Sequence, residues 1–186
     1  MTIGIDLDDT LIETTKTGNE YLKEFVRDNS ITDYHDLSKD EYLKFYGMYL
    51  YDIQKNAPIK KDALKVLNYL RSKNIRVVFI TARGTLGFTE SIPITLEYLK
   101  DHNVIYDKII FKKNHKSAAA RKEYVDLFID DKERVLDEIK RVGIKTLRFT
   151  EKTKKSNHDI VSSWPEVKKY IDNLIGEVKD EWQINW

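Results

Sequence analysis

The sequence predicts an α/β fold, a doubly wound, Rossmann-like parallel sheet with a small helical cap inserted after the first strand. Short apolar runs (Ile3–Ile5, Val77–Ile80, Ile109–Phe111, Leu127–Ile129, Thr146–Phe149) alternate with segments of helical period. That alternation requires a parallel sheet covered on both faces. About 70 residues of mostly helical pattern separate the first strand from the second, more than a simple crossover needs. Residues 14–57 therefore read as a cap, with residues 1–13 and 58–186 forming the core. A chain of 186 residues suits one domain carrying such an insertion.

The chain opens on Ile3-Gly4-Ile5-Asp6-Leu7-Asp8-Asp9-Thr10, where apolar residues alternate as in a short buried strand before the carboxylates crowd in. Thr14 to Arg27 carries Tyr21, Leu22, Phe25 and Val26 at amphipathic spacing, and Asp28 to Leu37 is polar. Ser38 with Glu41 forms a capping box. The helix it opens places Tyr42, Phe45, Tyr46, Tyr49 and Ile53 on one side before Asn56-Ala57-Pro58 breaks it. Helix resumes through Ala63, Leu67 and Leu70 and stops at Lys73-Asn74. Arg76 to Ile80 is a β-branched strand running into Thr81-Ala82-Arg83-Gly84. A helix over Pro93 to Asp101 turns Leu96 and Leu99 inward, and Lys108 to Phe111 is a short strand. The alanine-rich segment Lys116 to Tyr124 is helical by propensity. Leu127-Phe128-Ile129 leads into Asp130-Asp131, and Val135, Leu136 and Ile139 mark a helix. Thr146 to Phe149 is a strand. A final helix starts at Ser163-Trp164-Pro165-Glu166, a second capping box, with Val167, Tyr170, Ile171 and Leu174 on one face.

Composition removes several function classes. Lys and Arg total 32 against 31 Asp and Glu, a net +1, without the basic excess of a nucleic-acid or membrane-surface binder. No apolar run is long enough to span a bilayer, and the N-terminus lacks the pattern of a signal peptide. The absence of cysteine excludes disulfide and thiolate chemistry and fits a reducing cytoplasm. A cytoplasmic protein acting on a small molecule is the expectation, with no nucleic-acid polymer and no membrane as partner. The oligomeric state is left open, a homodimer included.

The chemistry is concentrated at strand ends. Asp6 and Asp8 end the first, Thr81 the second, and Asp130 and Asp131 a later one, while Lys116 opens the alanine-rich helix. In open parallel sheets ligands bind beyond the carboxyl ends of the strands, so these groups can converge. Carboxylates bind hard cations such as Mg²⁺. Together the set supplies what phosphoryl transfer needs: a nucleophile, a divalent ion, a hydroxyl for phosphate oxygens and a lysine for developing charge.

The order Asp6-x-Asp8-x-Thr10, Thr81, Lys116, Asp130-Asp131 resembles the four motifs of the haloacid dehalogenase superfamily, over nearly the whole chain. The resemblance implies a Mg²⁺-dependent phosphatase with Asp6 as nucleophile, Asp8 as general acid/base, and Thr81 and Lys116 on the phosphate. Asp131, supported by Asp130, would complete the metal site beside the Asp6 carboxylate and the Asp8 carbonyl. Ile80-Thr81-Ala82-Arg83, Phe128-Ile129-Asp130-Asp131 and Trp164-Pro165-Glu166-Val167 are similar to the bacterial branch of the 5'(3')-deoxyribonucleotidase family (5'-nucleotidase, deoxy, type C). That similarity implies a nucleotide substrate, a sugar phosphate or other phosphometabolite being the alternative. Where characterised nucleotidases of that family tend to have Gly-Val after the second aspartate, this chain has Asp9-Thr10.

Several residues admit a second reading. Asp8 could merely cap the helix that follows. Lys112 and Lys113 are cations as near as Lys116, which is preferred because it opens a helix. Its fourteen-residue lead over Asp130 also fits the layout of the family this chain resembles. Successive strand residues point to opposite faces, so Asp131 is expected on the ion and Asp130 one step removed. Arg83 is expected at the substrate phosphate, with a surface acid as the other partner. The cap aromatics read as packing, with base stacking as the alternative. The histidines His35, His102, His115 and His158 read as solvated, as do Lys152, Lys154 and Lys155. The cap is expected to hinge near residues 12–15 and 56–60. A receiver domain uses similar groups, but there the lysine follows the threonine on the last strand. A catalytically dead phosphoryl-binding module is the remaining alternative.

Overall fold

The computed structural model describes residues 1–26, 30–152 and 155–183, with side chains described as far as residue 176. Arg27, Asp28 and Lys154, parts of the expectations above, lie outside the described residues. Strands β1 (Thr2–Ile5), β2 (Arg76–Ile80), β3 (Lys108–Ile110), β4 (Leu127–Asp130), β5 (Lys145–Phe149) and β6 (Asp159–Val161) form one sheet in the order β3-β2-β1-β4-β5-β6. Every pairing is parallel, as the alternation of strands and helices requires. The edge strand β6 was not expected. Its three residues are too few to show a period against the polar loop before them.

The sheet is covered on both faces because successive strand residues point opposite ways. Ile3, Ile5, Val77, Phe79, Leu127 and Ile129 face one apolar cluster with α3 (Ala63–Ser72), Tyr98 and Leu99 of α4 (Ser91–Asp101), and α7 (Trp164–Gln183). Val78, Ile80 and Phe128 face the other, under α5 (Ser117–Lys122) and α6 (Glu133–Lys140). Gly4 is required by that second face: a Cβ there would stand 2.4 Å from the Phe128 ring.

Between β1 and β2 lie α1 (Thr14–Phe25), a 3-10 turn (Tyr34–Asp36) and α2 (Lys39–Asn56). They build a separate cluster from Leu22, Tyr34, Leu37, Phe45 and Ile53. Both halves of the Ser38/Glu41 capping box are formed. The two connecting segments are joined to each other: Glu13 N–H donates to the Pro58 carbonyl and Lys60 N–H to that of Leu11, each at 2.9 Å.

Some local expectations are corrected. Helix α4 starts at Ser91 rather than Pro93, and Leu96 is 40% exposed. The face it buries carries Ser91, Thr95, Tyr98 and Leu99, so apolar periodicity alone selects the wrong side. Glu166 reaches back to the Ser162 N–H (2.7 Å) and not to Ser163. His158 is not solvated. Its ring is held between the Thr146 hydroxyl at 2.7 Å and Asp137 at 3.1 Å.

Candidate active site

The strand order reverses between β1 and β4. The chain winds outward from β1 to β3, then returns to β4 and winds the other way, leaving a crevice beyond the carboxyl ends of these two strands. Asp6 leaves β1 there, its N–H bonded to the Ile129 carbonyl at 3.0 Å, and Asp130 ends β4 alongside. Lys116 comes to the same place from the turn before α5. Its ammonium stands 2.6 Å from Asp6 and 2.7 Å from Asp130. Lys112 and Lys113 are exposed instead. Thr81, fully buried at the end of β2, accepts the Arg83 N–H at 3.1 Å. No acceptor takes its own hydroxyl proton among the described residues.

The acids behave unequally. Both Asp130 oxygens are occupied, one by Lys116 and the other by the Lys132 N–H at 2.9 Å. Asp131 has a buried Oδ1 without a hydrogen-bond partner. An orphaned carboxylate oxygen is costly unless a cation or donor completes it. Oxygens of Asp6, Asp130 and Asp131 lie within 4.8 Å of one another, and such an all-oxygen set suits a hard divalent cation such as Mg²⁺. Burial pushes Asp6 up, Lys116 pulls it back, and Asp130 and Asp8 add to the rise, leaving its carboxyl at about 7. Burial also drives Asp131 well above the carboxylate range, helped by Asp130 and Asp6.

Asp8 is the opposite case. Burial opposes its ionisation, but the Arg83 guanidinium outweighs it together with the Thr14 hydroxyl, and the carboxyl falls to about 2. Arg83 Nε reaches both Asp8 oxygens at 3.1 and 3.2 Å, its Nη2 reaches Oδ1 at 2.7 Å, and Thr14 donates to the same Oδ1 at 2.7 Å. The guanidinium thus meets an acid of the site itself. Asp8 caps no helix; Asp9 does, accepting the Thr15 N–H at 2.9 Å.

Sequence reading passed over Thr14, Thr95 and Lys132. Thr14 and Thr95 look like ordinary helix residues, and only the contacts with Asp8 and Arg83 single them out. Lys132, adjacent to the acidic pair, lies in the field of Asp131, Asp6 and Asp8. It lines a cleft of about 1190 Å³ running from Asp131 and Asp9 along α1 to Arg148 and Lys152.

No protein-family model matches the chain. A protein named a nucleotidase, from Clostridium acetobutylicum, is 28% identical over 187 residues, covering 94% of this chain and 95% of that one. Among solved structures, a haloacid dehalogenase-like hydrolase of Streptococcus pneumoniae superposes with a TM-score of 0.66 at 19% identity, over 91% of this chain and 97% of its own. A HAD-superfamily hydrolase of Ehrlichia chaffeensis gives 0.59 at 16% identity, over 94% and 97%. The chain has the fold of the haloacid dehalogenase-like hydrolases.

Proposed function

We propose that the protein is a Mg²⁺-dependent phosphomonoesterase working through an aspartyl-phosphate on Asp6, and that its substrates are (deoxy)nucleoside monophosphates. The observation that carries the reading is the meeting of Asp6, Lys116, Asp130 and Asp131 at the β1/β4 crevice, with Asp8 two residues beyond the nucleophile. Asp6 and Asp131 would hold the metal, with the Asp8 carbonyl as the resemblance implies, and the orphaned Asp131 oxygen is the strongest support for that assignment. When bound, Mg²⁺ supplies positive charge to the phosphoryl oxygens.

The protein residues do the rest. An Asp6 carboxylate oxygen attacks phosphorus, and the ester P–O bond breaks as Asp8 gives a proton to the leaving oxygen. The substrate's own negative charge beside Asp8 raises the proton affinity that Arg83 holds down in the free protein. Asp8, now ionised, takes a proton from a water that attacks the same phosphorus, and cleavage of the Asp6–phosphorus bond releases inorganic phosphate. Thr81 and Lys116 hold the phosphate oxygens, and Asp130 braces Lys116. Residues 14–57 act as the cap that restrains bulk water.

The nucleotide assignment rests on the Clostridium relative's name and on the cap aromatics, where Tyr42 and Tyr46 stack with centroids 5.5 Å apart. The charged lining of the neighbouring cleft favours a sugar phosphate as the second reading. Phosphate release across a panel of nucleoside monophosphates and sugar phosphates with Mg²⁺ decides between them; turnover confined to non-nucleotides ends the nucleotidase reading. Asp6→Asn is expected to abolish turnover at an unchanged circular dichroism spectrum, and an active Asp6→Asn enzyme refutes covalent catalysis.

A further inference from the structure

Two side chains, Arg83 and Thr14, make four hydrogen-bond contacts to the Asp8 carboxylate. Oδ1 takes Arg83 Nη2 at 2.7 Å, Nε at 3.1 Å and Thr14 Oγ1 at 2.7 Å, while Oδ2 has only the longer 3.2 Å contact with Nε. A guanidinium fork fixes the plane of a carboxylate as well as its place, which an ammonium does not. Oδ2 is thereby the oxygen left to meet a substrate.

Arg83 is itself braced. Its side chain is 1% exposed, and Nη1 donates to Thr95 Oγ1 at 3.0 Å. Thr95 in turn donates to the Ser91 carbonyl at 2.6 Å. The Ser91 hydroxyl and the Gln54 amide exchange two hydrogen bonds, at 2.6 and 3.0 Å, and Gln54 also donates to the Tyr46 hydroxyl at 3.1 Å. Gln54, Ser91 and Thr95 are buried, and apolar side chains would fill those places without needing partners. Fully satisfied, such a network rigidifies what it holds. It runs from α2, through the first turns of α4, to the acid at the end of β1.

We propose that Arg83 is a positioning residue that presents Asp8 Oδ2 to the leaving-group oxygen, and that Thr95, Ser91 and Gln54 brace it from the α2–α4 contact. This rests on the phosphatase reading above. It gives Arg83 a role in proton delivery, distinct from holding the phosphate.

The leaving group provides the test. An alkyl phosphate must have its departing oxygen protonated, whereas p-nitrophenolate leaves without a proton. The quantity kcat/KM covers only the steps up to that departure, so the later water attack does not enter. Wild type, Arg83→Met, Arg83→Lys and Gln54→Leu are compared on glycerol 2-phosphate and p-nitrophenyl phosphate with Mg²⁺. In Arg83→Met, kcat/KM for the alkyl ester is expected to fall by about 10²-fold or more, the usual worth of a positioned acid. The fall on the aryl ester is expected to be at least roughly tenfold smaller. Arg83→Lys, which keeps the charge and loses the fork, shows the same signature, and Gln54→Leu shows it more weakly. Arg83→Lys decides the matter if Arg83→Met does not fold by circular dichroism. Equal losses on both esters, or none, overturn the proposal while leaving the phosphatase reading in place. A wild-type protein that hydrolyses neither these esters nor any nucleoside monophosphate overturns both, and a nucleoside monophosphate serves as the alkyl ester if glycerol 2-phosphate is refused.

Discussion

Asp9 shows how one side chain can serve a turn whose backbone favours glycine. Its φ is +58°, in the left-handed region that glycine enters freely and aspartate more readily than most residues. The Asp9 carboxylate accepts the Thr15 N–H and also the Thr15 hydroxyl, so this side chain secures the start of α1. At Asp6 the raised carboxyl has a measurable consequence. Without metal, the folded protein holds the Asp6 proton up to about 7, whereas an unfolded chain releases it near 3.8, as an ordinary aspartate does. The folded state therefore binds more protons between these values, and this group removes stability as pH rises through that window. Asp131 acts in the same direction. A cation that binds the ionised carboxyls competes with protons at low pH and stabilises the folded state above it. The rise in melting temperature on adding Mg²⁺ should accordingly be larger at pH 8 than at pH 5.5 by differential scanning calorimetry. A shift that is equal at both, or larger at pH 5.5, contradicts the metal assignment.

Among the elements, α1 shows what a period cannot reveal. Gly18 faces Tyr34, which is 3% exposed although the stretch around it is polar. A Cβ at Gly18 would stand 2.4 Å from the Tyr34 ring, so the ring occupies the notch the glycine leaves. Tyr34 stacks in turn on Phe45 with centroids 5.3 Å apart. Gly18→Ala gains up to ~1 kcal/mol of helix propensity and costs about 1–3 kcal/mol through overpacking. The expected net result is faster amide exchange across α1 and α2, with the sheet unchanged. A more stable variant by thermal melting would show that Tyr34 moves aside freely. Helix α4 carries the complementary lesson: its buried face is partly hydroxylated because it supports Arg83 through Thr95, and a hydroxyl is invisible to an apolar period.

At the scale of the whole molecule, the inserted helices are attached by more than their two connections. Lys55 of α2 pairs with Glu97 of α4 at 2.8 Å, and Tyr46 meets Phe88 edge-on at 5.1 Å. The hinge expected near residues 56–60 is thus bridged by contacts from α2 to the core. The cleft instead follows α1, opposite the loops after β4 and β5. Under the cap reading, the insertion selects the leaving group while the core holds metal and phosphate. Tyr42→Ala should therefore change the ratio of kcat/KM between nucleotide and non-nucleotide esters, by the ~1–3 kcal/mol of a lost base-stacking contact. The Mg²⁺ concentration for half-maximal activity should stay as it was. Equal loss on every ester, or an altered Mg²⁺ requirement, counts against that division.

The sequence by itself determined the parallel sheet, the helical insertion and the family of strand-end groups, because strand period, helix period and a cluster of carboxylates are local patterns. It also singled out Lys116 among three lysines, and the structure brings that lysine to Asp6 and Asp130. Only the tertiary structure decided which partner each buried charge takes. Arg83 meets Asp8 across 75 positions of chain, and Gln54 meets Ser91 across 37. Such pairings answer the cost of burying a polar group unsatisfied, and that cost exists only once the chain has closed around it.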